Sequence, residues 1–239
     1  NRYHPMLPLP GWTGDAEWYG FVDFRNLPRL INPPDGMIAC ANQKISDDGY
    51  PWYLSALWEP PSRIERIREL LQGAAQFTAD DFKRMQQDVM SPHARELTGL
   101  LMRVAASGPQ ADTVTNAAID YLRNWDFRFA TNDIATTIFN AFYVNLLRNI
   151  YLDEMGPDLF RHFQEFGAIP NRVTSQLLAS DSSLWFDDVS TPTRESRNDI
   201  LLKSFSESLD SLRETMGPVM KEWRWGKIHA VTFRHPFGA

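Results

Sequence analysis

The sequence predicts a mainly α chain, in which an array of helices is inserted between short β and loop regions at both ends. Residues 1–60 are rich in proline and aromatic residues, residues 61–222 carry apolar residues at helical spacing, and the last residues alternate in character. We therefore divide the chain into a β and loop region at 1–60, a helical domain at 61–222 and a returning β-strand region at 223–239.

Composition excludes several classes of protein. The 239 residues carry a formal net charge of −6, with acidic and basic residues interspersed, so neither nucleic acid nor a membrane is an expected partner. The single cysteine, Cys40, excludes an intramolecular disulfide. No apolar run reaches the length of a membrane span. The chain opens on Asn1 without an initiator methionine, and we expect it to be a segment of a longer protein.

A strand, a tight turn and a second strand are predicted within residues 28–43. Two consecutive prolines exclude a helix, and the Asp-Gly pair after them permits the positive φ of a reversal. Alternation along the second strand places Asn42 at the end of the otherwise apolar row of Ile38 and Cys40. An amide at the buried end of a strand needs a partner, and its N–H groups suit a developing oxyanion. The plainer alternative, which local chemistry favours, is that Asn42 begins a loop.

Eight helices are predicted between residues 62 and 215 from apolar periodicity and capping signals. Ser62 is expected to cap the first, and Gly73 to end it. Thr78 and Asp81 resemble a capping box, and Ser91 followed by proline starts the third helix. The later helices are predicted at about 111–124, 133–153, 157–165, 170–179 and 194–215, with a polar loop at 180–193.

The final region changes character after Gly217. Alternating apolar and polar residues predict a strand at about 228–234. Both ends of the chain are therefore strand-like, which suggests a helical insertion on a β framework whose other strands lie outside this chain.

Motifs for common chemistries are absent from the sequence. It contains no glycine-rich phosphate loop and no GxSxG elbow, and no histidines are paired at the i, i+4 spacing of a zinc helix. One cation stands out, because Arg63 falls in the first turn of a predicted helix, where the helix dipole does not favour positive charge. A solvated arginine is the plainer interpretation. The alternative is that its guanidinium holds a carboxylate or the loop backbone near the strand end.

A series of motifs in order along the whole chain resembles the β chain of the penicillin amidase family, which includes cephalosporin and acyl-homoserine-lactone acylases. Only the spacing between Pro51 and Trp58 is short for this family. The motifs are Pro8-x-Pro10-Gly11, Trp18-x-Gly20, Leu27-Pro28, Asn32-Pro33-x-x-Gly36-x-Ile38-Ala39-x-x-Asn42, Tyr50-Pro51, Trp58-x-x-x-x-Arg63-x-x-x-Ile67-x-x-Leu70-Leu71, Gln86-x-Asp88-x-x-Ser91 and Trp223-x-Trp225-Gly226-x-x-His229.

This resemblance implies a larger αββα N-terminal nucleophile hydrolase. Members of the family are cleaved autocatalytically to expose a β-chain serine, whose own α-amine acts as the base in forming an acyl-enzyme. The oxyanion hole combines a backbone N–H with an asparagine side chain that corresponds to Asn42, and a nearby arginine of the site corresponds to Arg63. The implied substrate is a small molecule with a linear amide bond, the implied partners are the remaining α- and β-chain segments, and the implied location is periplasmic or secreted.

A structural calcium ion is present in some members of the family, and no organic cofactor is implied. A proline backbone carbonyl contributes to that calcium site, and Pro5 is the corresponding position. The family's calcium-binding aspartate, expected shortly after Tyr50 and Pro51, is not recognisable, because Trp52-Tyr53-Leu54 stand there. The resemblance therefore speaks only weakly for calcium in this chain.

Three interpretations of the function follow. In the first, the chain is an internal segment of an acylase and is inactive alone, since Asn1 cannot replace the nucleophilic serine. This hypothesis predicts exposed apolar surface on residues 1–60 and 223–239, where partner segments would pack. The alternative is a non-catalytic helical interaction or scaffold domain, which predicts a complete fold in isolation. A family member that kept the fold and lost the chemistry is a third interpretation.

Overall fold

The computed structural model describes residues 6–108 and 112–233 of the chain. These residues form eight α-helices and three short 3-10 turns, and they contain no β-strand. The only isolated β-bridge within them pairs Met90 with Arg128. The helices are α1 (Ser62–Leu71), α2 (Ala79–Gln86), α3 (Pro92–Ser107), α4 (Thr113–Arg123), α5 (Ile134–Glu165), α6 (Ala168–Leu178), α7 (Arg197–Met216) and α8 (Trp225–Ile228).

The core is built where α5 packs along α7, which is the most extensive contact between two helices in the described part of the chain. Phe142, Leu146 and Ile150 repeat at helical spacing on α5 and are completely buried. Phe142 meets Phe205 of α7 edge to face, with ring centroids 6.0 Å apart. Helices α3 and α4 pack against the same pair, and α1 lies on α3. The predicted helical array is therefore confirmed.

A break divides α5 where the sequence predicts two separate helices. Gly156 leaves the helical conformation with φ 69° and ψ 167°, and Pro157 follows it. Glycine is suited to this backbone conformation, and the proline then fits the start of the next helical segment.

Capping explains most of the helix starts. Thr78 and Asp81 form the predicted capping box of α2, and the hydroxyl of Ser91 accepts the Ala94 N–H at the start of α3. The prediction that Ser62 caps α1 is wrong. Pro61 already has helical φ and ψ at the N-cap position, so the helix begins one residue earlier than predicted and Ser62 makes no capping bond.

A second capping box, formed by Ser196 and Asp199, starts α7. We expect Ser196→Ala to lower the free energy of unfolding by about 1 kcal/mol, because the N–H of Asp199 loses its acceptor. Urea unfolding measures the change, with Ser206→Ala as the control, since Ser206 is exposed within the same helix. Alanine is the better helix former there, so the control is expected to be neutral or slightly stabilising. Equal effects of the two substitutions would contradict this role of the cap.

The predicted strand pair within residues 28–43 is wrong, although its turn is present. Gly36 has φ 68° and donates its N–H to the Pro33 carbonyl at 2.9 Å. Burial still alternates with a period of two after the turn, but the row that ends at Asn42 faces solvent. A two-stranded hairpin without further strands is only marginally stable, and the described residues offer no third strand to pair with it.

The strand predicted at about 228–234 is also wrong over its described part, up to Phe233. Residues 225–228 form the single turn of α8, and no regular structure follows it up to residue 233. The N–H groups of Trp225 and Gly226 donate to the carbonyls of Asp133 and Thr131, at 3.1 and 2.7 Å. A Cβ at Gly226 would stand 3.1 Å from the Thr131 carbonyl oxygen, so the close approach of these two loops favours glycine.

Large apolar side chains are exposed near both ends of the described chain, as the segment hypothesis expects. We call residues 12–24 the aromatic arm. Its Trp12, Trp18, Tyr19 and Phe21 are each at least 86% exposed. Phe233 is similarly exposed at the other end.

Across the described residues, no helix combines the length and the apolar character required to cross a bilayer.

Candidate active site

The structure brings Asn42 and Arg63 into direct contact. Arg63 is the second residue of α1, and its side chain reaches back over the loop that contains Asn42. Its Nη2 donates to the Asn42 Oδ1 at 2.9 Å and to the Ala41 carbonyl at 3.0 Å. Arg63 therefore holds the loop backbone, as the second of the two alternatives predicts, and does not stand free in solvent.

Contact with a guanidinium fixes which way the Asn42 amide points. Arginine has only hydrogen-bond donors, so the amide atom that faces Arg63 is the acceptor Oδ1. The Asn42 Nδ2 group therefore points away from Arg63. Asn42 is exposed, and none of the described residues accepts a hydrogen bond from its Nδ2. The amide thus presents two N–H donors to whatever lies beside the loop.

The backbone of this loop is fixed as well. Asn42 has φ 60°, in the left-handed region that asparagine tolerates better than most residues. Its carbonyl accepts the Glu59 N–H at 2.9 Å. One residue earlier, the Ala41 N–H donates to the Gln43 Oε1 at 2.7 Å. Both the peptide and the side chain of Asn42 therefore have defined positions.

Sequence reasoning missed Glu59 and Gln43. Besides its backbone bond to Asn42, Glu59 places a carboxylate oxygen 3.7 Å from the Arg63 Nη2. The i, i+4 spacing of these two residues is visible in the sequence and could have indicated the pair. The Gln43 side chain accepts the backbone N–H of Ala41, and its residue type gives no signal for that contact.

An ion-pair network lies directly behind α1. The Asp88 carboxylate accepts from the Arg66 Nε at 2.6 Å and from the Arg128 Nη1 at 2.9 Å. Glu69 accepts from Arg66 and from Arg95 of α3. The Asp88 side chain is only 9% exposed, and hydrogen bonding to Arg66 holds the pKa of its carboxyl below the usual value. This network ties α1, and with it Arg63, to α3 and to the α4–α5 loop.

We expect Asp88→Asn to lower the free energy of unfolding at neutral pH by about 1–3 kcal/mol, because two charge-assisted hydrogen bonds are weakened. A lowered pKa in the folded state stabilises the protein above the unfolded pKa of about 3.9, and this stabilisation is lost as the pH falls through the folded pKa. The variant should therefore lose less stability than the wild type between about pH 5 and the acid limit.

Urea unfolding at a series of pH values measures this effect. Asp80→Asn is the matched control, since Asp80 pairs with Lys83 on the surface of α2, with both side chains 72% exposed. It should change the unfolding free energy by less than about 1 kcal/mol. If the unfolding free energies of the wild type and Asp88→Asn changed in parallel with pH, this would contradict the stabilising role of the ionised Asp88 carboxylate.

The calcium site implied by the resemblance has little support in the described residues. Pro5 lies outside them. No group of three or more histidine, cysteine, aspartate or glutamate side chains among them is placed to hold a metal ion. Asp47, three residues before Tyr50, accepts a hydrogen bond from the backbone N–H of Gly49. Calcium binding through Pro5 therefore stays a prediction.

Comparison with known proteins gives a consistent result. The family model described as penicillin amidase matches residues 1–239. The chain is 32% identical over 242 residues to penicillin acylase 2 proenzyme of Pseudomonas sp. (strain SE83), with 100% of the chain and 30% of the relative covered. It is 30% identical over 238 residues to the acyl-homoserine lactone acylase QuiP of Pseudomonas syringae pv. syringae (strain B728a), covering 94% of the chain and 29% of the relative.

A more distant relative is penicillin G acylase of Escherichia coli, at 22% identity over 262 residues, with 98% of the chain and 30% of the relative covered. The chain thus spans about 30% of the length of the curated relatives it matches.

Proposed function

The chain belongs to the penicillin amidase family, and from this premise we propose that it supplies the oxyanion-binding side chain of an acylase that hydrolyses linear amide bonds. The observation that carries the proposal is the contact between Arg63 and the Asn42 Oδ1. This contact turns both N–H groups of the amide outward, as an oxyanion hole requires, and it does so before any substrate binds.

The proposed chemistry is acyl transfer through a covalent intermediate. The hydroxyl of an N-terminal serine, supplied by a part of the enzyme outside this chain, attacks the amide carbonyl and passes its proton to its own α-amine. The negative charge that forms on the carbonyl oxygen is stabilised by the Asn42 Nδ2 and by a backbone N–H. The tetrahedral intermediate expels the amine, which takes the proton, and water then hydrolyses the acyl-enzyme to the free acid.

Arg63 has two roles in this scheme. It holds the amide in the orientation that donates, and its positive charge strengthens the polarisation of the amide through the contact at Oδ1. Since Arg63 is positioned by α1, the geometry of the oxyanion site depends on the ion-pair network behind that helix. The segment alone, without the nucleophile, is proposed to be inactive.

The substrate class we propose is a small N-acyl amide, such as the acylated side chain of a β-lactam or an N-acyl amine. The relatives named above are called penicillin acylases and an acyl-homoserine lactone acylase. The exposed aromatic arm supports a further part of the proposal, that the remaining α- and β-chain segments of the acylase pack on this chain. A periplasmic or secreted location is proposed with the activity.

The competing function is a non-catalytic helical interaction or scaffold domain. It is favoured by the buried core around α5 and α7, which the described residues form as one cluster. The outward-facing amide of Asn42 is not explained by a scaffold role, whereas the acylase proposal gives it a function.

Incubating the enzyme that contains this chain with penicillin G and, separately, with an N-acyl-homoserine lactone tests the activity. Mass spectrometry is expected to detect a free carboxylic acid and a free amine from at least one of them, with the β-lactam or lactone ring intact in the amine product. Absence of a free acid from both substrates, with a folded enzyme, would favour the scaffold function.

A further inference from the structure

We propose that Arg172, on α6, is a positioning residue for the oxyanion-binding amide of Asn42; this inference rests on the function proposed above. Arg172 is half-buried. Its Nη1 donates to two backbone carbonyls, those of Ala56 at 2.8 Å and Trp58 at 3.0 Å. These residues lie 116 and 114 positions away in the sequence, in the segment that leads into α1.

Arg172 acts as a clamp in the sense that its guanidinium holds two carbonyls of the main chain. None of the carboxylates in the described part of the chain forms an ion pair with it. Its charge instead acts on two carbonyl dipoles, and hydrogen bonds from a charged donor are about twice as strong as neutral ones. Residues 54–60 contain no helix or strand, so they lack the regular ladder of bonds that would otherwise hold their backbone.

The clamped segment is the one that contacts Asn42. Glu59 directly follows Trp58, and its N–H donates to the Asn42 carbonyl at 2.9 Å. Four residues further on, Arg63 donates to the Asn42 side chain. A short covalent path therefore links the carbonyls held by Arg172 to both of the groups that position Asn42.

The other end of the clamp is anchored in the core. Two residues after Arg172, Thr174 is completely buried, and its hydroxyl is 3.0 Å from the Tyr151 hydroxyl of α5. Asn171, which directly precedes Arg172, accepts a hydrogen bond from the Tyr143 hydroxyl of α5. Through Arg172, a loop that has little regular structure is thus fixed relative to α5 and α6.

A double-mutant cycle measures whether Arg172 acts through Asn42. In the enzyme that contains this chain, Arg172→Ala is expected to lower kcat about tenfold, since small displacements of catalytic groups are costly. In the Asn42→Ala background the same change should cost less than about twofold, because the group that it positions is gone. Arg172→Lys retains a charged donor and is expected to recover part of the loss.

Hydrogen exchange gives a second readout that does not depend on activity. The Glu59 amide is expected to exchange about tenfold faster in Arg172→Ala, because the segment that carries this N–H is no longer held in place. Amides in the core of α5 should be unchanged. Arg161→Ala is the control, since Arg161 lies on the surface of α5 with its side chain 62% exposed.

Several outcomes would overturn the inference. Unchanged kcat in Arg172→Ala, an equal loss in both backgrounds, or unchanged exchange at Glu59 would each show that Arg172 does not position Asn42. Wild-type kcat in Asn42→Ala alone would instead overturn the proposed function, and the role of Arg172 in catalysis with it. The exchange result would then still decide whether Arg172 clamps the loop.

Discussion

Replacing Asn42 with alanine, in the proposed acylase that contains this chain, is expected to lower kcat about 100- to 1,000-fold. The amide is exposed and Arg63 orients its N–H groups outward, so the substitution removes a preorganised donor pair without opening a cavity in the core. The donors are proposed to act on charge that develops only in the transition state. The loss should therefore fall on kcat, with little change in KM.

Steady-state kinetics with a cleaved amide measure this effect, and two variants sharpen it. Asn42→Asp keeps the size of the side chain, but its ionised carboxylate has no donors and would pair with Arg63, so we expect it to be as inactive as Asn42→Ala. Gln76→Ala is the control, since Gln76 is an exposed amide between α1 and α2. It should retain wild-type kcat. Near-normal turnover in Asn42→Ala would contradict the proposed role.

Truncating Phe142 to alanine is expected to lower the free energy of unfolding by about 3–5 kcal/mol. Phe142 is completely buried at the centre of the contact between α5 and α7, where it meets the ring of Phe205. Helices on both sides are fixed by neighbouring core residues, so the cavity left by the ring can collapse only in part. A loss of this size is a large fraction of the stability of an ordinary domain.

Urea unfolding followed by circular dichroism measures the change. Val144→Ala is the matched control two residues along the same helix, because Val144 is 55% exposed. Its effect should stay within about 0.5 kcal/mol. A cost below 1 kcal/mol for Phe142→Ala would contradict the position of α7 against α5.

The helical part of the fold was predictable because its signals are local. The Ser91 cap with proline after it, the Thr78 box and the break at Gly156 each depend on a few adjacent residues. The presence of strands was not predictable in this way, because a strand forms only when a neighbouring strand pairs with it. Residues 37–42 alternate with a period of two in the sequence and in their burial, but nothing in that run indicates whether another strand lies beside it.

The candidate site was predictable in a different way. Local chemistry favoured a loop asparagine at position 42, and the positive φ of Asn42 agrees with that interpretation. Only the family resemblance singled out Asn42 and Arg63 together. Their contact spans 21 residues, and the bond from Arg172 to Ala56 spans 116, so neither is encoded in a periodic pattern. The role of Asn42 in catalysis stays a prediction until the variants are measured.

The aromatic arm gives this protein a built-in optical signal. Trp12 and Trp18 are at least 86% exposed, whereas Trp223 is 1% exposed within the helical core. Indole fluorescence shifts to shorter wavelength when water is excluded from the ring, so the two groups of tryptophans should emit at different wavelengths. If another segment packs on the aromatic arm, the emission of Trp12 and Trp18 should shift to shorter wavelength, and iodide should quench it less. Emission spectra would thus report packing of the proposed partner segments on the arm without an added dye.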